Sequence, residues 1–376
     1  MHQLRFHPIG NADCCLIRLR NGKRVLFDYA NTRDPNDRND LRCDLPKELR
    51  DDLVSADRDY YDTVAFTHLD EDHYKGATEF FWLEHAKKYQ GIERIKMNVM
   101  WVPAAMITEE KLDKEEARIL QAEARHRFKQ KKGVRVFSRP ERLREWCDKN
   151  NISLEDRLHL ITDAGKLAPD FTREEDGVEF FVHCPFAKRL NDTTVEDRND
   201  DALVMQASFL VQDVETKVLL LADITHDAVD DIVDVTKAKG RASRLEWDVL
   251  KVAHHCSYRS IGPEKGEDQT KPTKQAQWLY ETQQQERATI VSSSKPMPVK
   301  GSKEDKDVCP PHRQAGNYYT SIVEEPDAQF KVTMEHPKAS APKRLIIDID
   351  ASKATVRMRA TATAAVAVSS QPPRAG

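Results

Sequence analysis

One stretch of the sequence decides the fold: residues 62–73, DTVAFTHLDEDH. Its first half is apolar and rich in β-branched residues, which predicts a buried strand, and helical spacing follows it. His68, Asp70, Asp72 and His73 therefore lie at a strand-to-helix turn, where side chains two positions apart can point into one site. Packed together without a cation, these carboxylates and imidazoles would repel one another or lose their solvation. The motif predicts a metal site.

Two more predicted strands end on side chains that bind metals. The apolar run 219–223, LLLAD, ends on Asp223, and the run 249–257, VLKVAHHCS, passes through His254 and His255 as its strand ends. Strand ends at one edge of a sheet converge in space. We therefore expect these side chains to join the first motif in a single site. The sequence leaves open which of the two histidines is the ligand.

The remaining pattern predicts an α/β protein. Residues 4–28 resemble a β-meander, and strands and helices then alternate as far as residue 359, which predicts a single domain over residues 1–359. Residues 104–157 are highly charged and contain few β-branched residues, which predicts a helical insertion with a basic stretch at 125–132. Residues 360–376 are of low complexity and predict a disordered tail.

Composition and charge exclude several classes of protein. The 376 residues carry 59 Lys and Arg against 63 Asp and Glu, a net charge of −4, so no global charge excess attracts nucleic acid. No run approaches the ~20 apolar residues of a bilayer span, which argues against a membrane protein. The seven cysteines are odd in number and include no CxxC pair, which favours reduced thiols and a cytoplasmic location.

The motifs together resemble one known family. Residues 68–73, then 221–223, then HHCS at 254–257 are similar to the metallo-β-lactamase superfamily, and most closely to the hydrolase domain of ComEC-type competence proteins and their stand-alone relatives. The openings GNADCCLI and NGKRVLFD, together with NDDALV at 199–204, are similar to elements of that subgroup. The sequence departs from the family pattern at Asp70, which is often His, and has Cys256 where the family has Gly.

The resemblance implies an αββα sandwich with a two-metal site along one edge. On that template, His68, Asp70 and His183 hold one ion, Asp72, His73 and one of the 254–255 pair hold the other, and Asp223 bridges them. Asp72 and His255 are the expected catalytic residues. The residues expected to orient ligands or touch substrate are Asp13, Asp28, Asn199 and Ser257. The oxygen-rich first site accommodates Mn²⁺ as well as Zn²⁺.

The resemblance also implies a function. The expected activity is two-metal hydrolysis of a phosphodiester, with a nuclease acting on DNA as the leading case and a metal-activated water as the nucleophile. Stand-alone relatives resemble effectors of bacterial antiphage modules, which implies a regulatory protein partner on the insertion at 104–157. Two alternatives stay open. The first is a metallo-hydrolase of a small phosphodiester, lactone or thioester, and the second is a non-catalytic scaffold of the same fold.

Overall fold

The computed structural model describes residues 1–186, 201–323 and 327–357. The described residues form fifteen strands: β1 (His2–Phe6), β2 (Cys15–Arg18), β3 (Arg24–Phe27), β4 (Tyr60–Ala65), β5 (Lys96–Pro103), β6 (Val134–Phe137), β7 (Ile161–Thr162), β8 (Val178–Cys184), β9 (Val204–Val211), β10 (Val214–Leu220), β11 (Trp247–Lys251), β12 (Gln284–Ser292), β13 (Gln329–Val332), β14 (Leu345–Asp350) and β15 (Lys353–Val356).

Ten α-helices accompany the strands in the described part of the chain: α1 (Leu45–Val54), α2 (Glu71–Tyr74), α3 (Ala77–Phe80), α4 (Ala104–Thr108), α5 (Glu115–Lys129), α6 (Glu141–Lys149), α7 (Arg173–Asp176), α8 (His226–Ala238), α9 (Lys274–Gln277) and α10 (Arg313–Ser321). None of the helices placed in residues 1–186, 201–323 and 327–357 has the length and apolar character that crossing a bilayer requires.

The strands build two sheets. One has the order β15-β14-β1-β2-β3-β4-β5-β6-β7, and the other has the order β13-β12-β11-β10-β9-β8. Strands β3 to β7 run parallel to one another, as do β10 to β13. The carboxyl ends of parallel neighbours share an edge of their sheet, so the motif after β4 lies at one edge of the first sheet and the motifs after β10 and β11 lie at one edge of the second.

The two sheets pack face to face over a shared core. Phe27 and Trp101 of the first sheet lie 6.1 Å and 5.3 Å, between ring centroids, from Phe180 of the second. A further core lies between the first sheet and helices that include α1 and α5. Another lies between the second sheet and helices that include α8 and α10. The described residues thus form four layers in the order helix, sheet, sheet, helix.

Residues 104–157 do not form a purely helical insertion. They contain β6, which lies between β5 and β7 inside the nine-stranded sheet. Helix α5 begins at Glu115 and buries Leu120, Ala124 and Phe128 against that sheet. The prediction was wrong on this point because β6 is only four residues long and its pattern was masked by the charged helices on either side.

Two other predicted elements differ from the structure. The spacing of apolar residues at 75–88 predicts one helix, but the structure has only α3 and a 3₁₀ turn over Lys87–Tyr89 there, and Gly76, with a left-handed φ of 80°, separates α3 from α2. The apolar run Leu158 to Ile161 predicts a strand in the sequence, but the structure has a 3₁₀ turn over Glu155–Leu160 followed by the two-residue β7.

Phe180 connects the two sheets and provides a test of the shared core. It is fully buried and its ring also lies 5.3 Å from that of Phe171. We expect Phe180→Ala to lower the free energy of unfolding by about 3–5 kcal/mol, because the cavity it leaves cannot be filled by rigid strands. Urea unfolding would measure the loss. Leu41→Ala, at a site 48% exposed, is the matched control and should change stability by no more than about 0.5 kcal/mol.

Candidate metal centre

Three buried imidazoles lie close to carboxylates at one end of the two packed sheets, beyond the carboxyl ends of β4, β10 and β11. The Nε2 atom of His73 lies 3.3 Å from Oδ2 of Asp223, and Nε2 of His255 lies 3.2 Å from the same oxygen and 3.1 Å from Oδ2 of Asp72. The ring of His68 lies 4.0 Å from that of His73, and its Nε2 is 3.7 Å from Asp70. The predicted motifs therefore meet in one place.

Each group reaches the centre from the end of a strand. The chain leaves β4 at Ala65 and reaches His68 before α2, which carries Asp72 and His73. Asp223 follows β10 after two residues. Residues 254–256, which follow β11, all have left-handed backbone angles, with φ between 48° and 67°. This tight turn directs the His255 ring back toward the centre.

The second nitrogen of each imidazole is already bonded. Nδ1 of His73 lies 2.9 Å from Oδ2 of Asp28, and Nδ1 of His255 lies 2.7 Å from the carbonyl oxygen of Ser293. Nδ1 of His68 lies 3.1 Å from the hydroxyl of Thr67, which itself donates to Asp28. A ligating histidine is typically held in this way, with Nδ1 bonded to a carboxylate or carbonyl and Nε2 directed at the metal.

The charges in the centre shift one another's pKa values. Burial alone would lower the pKa of His255, but the carboxylates of Asp223 and Asp72 raise it to about 10. Burial likewise opposes the rise at His73, yet Asp223 and Asp28 hold its pKa well above the ordinary value. Burial would raise the pKa of Asp223, and the two imidazoles hold it well below its usual range. The carboxylates of the centre thus stabilise positive charge on its imidazoles.

The donor set fits a divalent cation. The buried Nε2 atoms of His68 and His73 and Oδ1 of Asp223 have no hydrogen-bond partner. One ligand atom each from Asp13, His73, Asp223 and His255 falls within 4.8 Å of the others. Imidazole nitrogen and carboxylate oxygen together suit Zn²⁺ and Mn²⁺. Each of these three unpartnered atoms is a donor that a bound cation would satisfy.

Lys251 is a member of this centre that the sequence analysis did not identify. Its Nζ forms an ion pair with Asp13 and lies 4.0 Å from Oδ1 of Asp223, and the lysine is buried. Burial lowers its pKa, but Asp13 and Asp223 raise it above the ordinary value. The signal was a single charged residue inside the apolar run VLKVA, which a lysine on a surface strand would also produce. Asp13 is thereby neutralised by a protein cation.

The structure removes His183 from the predicted ligand set. Its Nε2 lies 2.8 Å from the carbonyl oxygen of Arg244, and its ring packs at 5.0 Å on that of Phe181. Its neighbour Val182 belongs to the core between the sheets, so strand alternation sends the His183 side chain to the outer face of the second sheet. Burial lowers its pKa to about 4, as expected for a neutral packed imidazole.

Three further predicted residues have distinct positions. His254 lies outside the cluster that His255 joins, with its ring centroid 6.2 Å from that of His255. The hydroxyl of Ser257 accepts from the backbone N–H of Arg259 and so caps a 3₁₀ turn. Asn199 lies outside the described residues. The geometry therefore favours His255 over His254 as the ligand of the pair.

A substitution at Asp28 tests whether its bond to Nδ1 of His73 orients that imidazole for metal binding. We expect Asp28→Asn to weaken Mn²⁺ or Zn²⁺ binding about 10–100-fold, because the amide supports the Nδ1–H of His73 less strongly than the carboxylate does. Asparagine tolerates the left-handed φ of 57° at this position, so the backbone is preserved. Calorimetric titration of the metal would measure the change. Unchanged affinity would contradict the orienting role, and Asp234→Asn on the surface of α8 is the control.

Comparisons with known proteins gave a match among solved structures and none among protein families or curated sequences. No protein-family model matches the sequence, and no curated protein sequence matches it either. Among solved structures, the chain is similar to one described as the crystal structure of a new diphosphatase from the PhnP family, with a TM-score of 0.33 and 9% sequence identity. The match covers 88% of this chain and 95% of that chain.

Proposed function

We propose that this chain is a metal-dependent hydrolase of the metallo-β-lactamase type that cleaves phosphodiesters, with DNA as the leading substrate. The observation that carries the proposal is the convergence of the Nε2 atoms of His73 and His255 with the carboxylates of Asp72 and Asp223, with the ring of His68 4.0 Å from that of His73. The sequence motifs support the family, and the resemblance to ComEC-type domains supports the nucleic-acid substrate.

The donors divide between two proposed ions. His68 and Asp70 would hold one, Asp72, His73 and His255 would hold the other, and Asp223 would lie between them. Divalent ions bound at such a site supply positive charge that lowers the pKa of water and stabilises the charge on a phosphate in displacement. Zn²⁺ and Mn²⁺ are the proposed metals.

The site has a buried floor and an open mouth. The side chains of Asp70 and Asp72 are each 37% exposed, whereas those of His73, Asp223 and His255 are almost fully buried. Substrate would therefore arrive on the side of Asp70 and Asp72. The half-buried His254 stands next to the cluster in the chain, and we assign it a contact to substrate oxygen rather than to metal.

Only part of the basic stretch 125–132 is exposed, and this part directly precedes β6, at the edge of the sheet opposite to the end of β4 that leads to His68. Arg127 is buried and bonded to Glu123 and to backbone carbonyls, and Arg125 donates to the carbonyl of Ile107. Lys129 and Lys132 are exposed. A DNA contact on this segment would use these two lysines, through phosphates and without reading sequence.

A restraining protein partner and a role in antiphage defence are proposed on the resemblance alone. The proposed docking surface is the segment 104–157. Deleting it would remove β6 from between β5 and β7, so the partner test requires substitution of exposed residues. Lys129→Glu/Lys132→Glu should weaken partner binding and leave hydrolysis of a small ester unchanged. Unchanged binding would contradict this docking surface.

The decisive assay measures cleavage of plasmid DNA, linear DNA and bis-p-nitrophenyl phosphate. Metal-stripped protein would receive Mn²⁺, Zn²⁺ or Mg²⁺, with Asp72→Ala/His73→Ala as the inactive variant. Asp234→Ala/His159→Ala changes the same residue types at exposed positions and is the matched control. We expect metal-dependent cleavage that the first variant loses and the control retains.

The outcomes separate the candidate functions. Cleavage of the small ester without DNA would favour a small phosphodiester as substrate. Metal binding without cleavage of either substrate would favour a lactone or thioester. A protein that binds no metal and cleaves nothing would overturn the proposal in favour of a scaffold.

A further inference from the structure

A second cavity lies at the opposite edge of the first sheet from the metal centre. Its volume is about 440 Å³, and four arginines line it: Arg18, Arg20, Arg24 and Arg58. We call it the arginine cavity. Arg24 is the first residue of β3, and Asp28 of the metal centre follows the last. Four residues of strand place the two sites about 13 Å apart along the chain.

The cavity forms because arginines replace apolar residues on the helix-facing side of the sheet. Arg18 and Arg24 are paired across β2 and β3, and their neighbours Ile17 and Val25 face the core between the sheets. Helix α1 covers the same face further along with Leu45, Leu49 and Leu53. Past the end of α1 the face is cationic and opens to solvent.

The carboxylate of Asp52 forms ion pairs with three of the nearby arginines. Asp52 accepts from Arg5 at 2.6 Å and from Arg24 at 2.7 Å, and lies 3.5 Å from Nε of Arg18. Burial and the surrounding arginines together lower the pKa of Arg5 to about 10, in spite of Asp52. The positive charge on this face thus exceeds what Asp52 neutralises.

Asp62 adds a single further negative charge. It pairs with Arg58 at 2.5 Å, while the Nε of Arg58 is buried without a hydrogen-bond partner. The four arginines that line the cavity therefore face two carboxylates. The C-terminus of α1 contributes only about half a negative charge. The arginine cavity keeps an excess of more than one positive charge.

We propose that the arginine cavity binds a small phosphate ester or anhydride of nucleotide size. Guanidinium groups bind phosphate oxygens in pairs of parallel hydrogen bonds, and a cavity of this volume is within the range of small-molecule sites. The charge is concentrated in one concavity rather than spread along a stripe, which favours a small ligand over a nucleic-acid backbone. This proposal does not depend on the proposed hydrolase function.

Calorimetric titration with ADP and with inorganic pyrophosphate tests the proposal. The protein would be kept in EDTA, so that the metal centre cannot hold phosphate through a cation. Arg18→Gln/Arg20→Gln removes two lining charges and leaves the bonded pairs of Arg24 and Arg58 with Asp52 and Asp62 in place. We expect this variant to lose at least about tenfold in affinity for both probes. Circular dichroism would confirm that it folds.

Arg38→Gln/Arg287→Gln is the matched control, because both arginines are exposed and lie outside the cavity. If this control lost as much affinity for ADP and pyrophosphate as the cavity variant, the loss would reflect the net charge of the protein and would overturn the proposal. So would the absence of binding by the unmodified protein at millimolar probe. Binding of a short DNA oligonucleotide that requires Arg18 and Arg20, without binding of ADP or pyrophosphate, would overturn the small ligand in favour of a nucleic-acid backbone.

Discussion

Asp223→Asn is expected to lower metal-dependent hydrolysis by about 10³-fold. The carboxylate lies within 3.3 Å of the Nε2 atoms of both His73 and His255, and it has an unpartnered buried oxygen. Metal ions supply several kcal/mol of charge stabilisation in such reactions, and each 1.4 kcal/mol corresponds to a tenfold change in rate. Asparagine keeps the shape of the side chain and removes the charge that would lie between two cations.

Metal content would be measured alongside the rate. We expect elemental analysis of the Asp223→Asn protein to show less bound Mn²⁺ or Zn²⁺ than the unmodified protein. Asp234→Asn, on the exposed face of α8, should change neither quantity. Full activity with full metal content in Asp223→Asn would contradict the bridging role and leave the proposed division of ligands without support.

Lys251→Met is expected to destabilise the fold by about 3–5 kcal/mol. The lysine is buried and its Nζ pairs with the buried carboxylate of Asp13, close to Asp223. Removing one partner of a buried ion pair leaves the other charge uncompensated, which costs far more than the net value of the pair. Urea unfolding in EDTA would measure the loss free of any contribution from bound metal.

A second substitution distinguishes this cause from a packing defect. In Lys251→Met/Asp13→Asn the uncompensated charge is gone, so we expect most of the lost stability to return. Lys47→Met removes a lysine that is 67% exposed and paired with Asp51, and it should cost no more than about 1 kcal/mol. A double variant as unstable as Lys251→Met alone would show that the lysine acts through its packing.

Local sequence was sufficient to locate the strand ends that carry the centre. An apolar run that stops at charged residues predicts both the strand and the point where it ends, and this holds for His68, Asp72, His73 and Asp223. The parallel order of the strands then follows from the alternation of strands and helices. The convergence of these residues was therefore predictable in outline.

Some assignments depended on which face a side chain occupies. His183 is equivalent to the other strand-end histidines in its local sequence, but strand alternation directs it to the outer face of the second sheet. The consecutive residues His254 and His255 are alike in sequence, and only the left-handed turn at 254–256 separates the cluster member from its neighbour. Such choices depend on backbone angles that residue types do not specify.

The sequence by itself determined the strand ends and the chemical types of the ligands, because both are local properties of short runs. The tertiary structure alone decided the pairing of Asp13 with Lys251, 238 positions apart in the chain. It also decided the place of β6 inside the sheet and the gathering of arginines beside Asp52. These features arise where separate elements pack together, so their energies depend on burial and on partners distant in the chain.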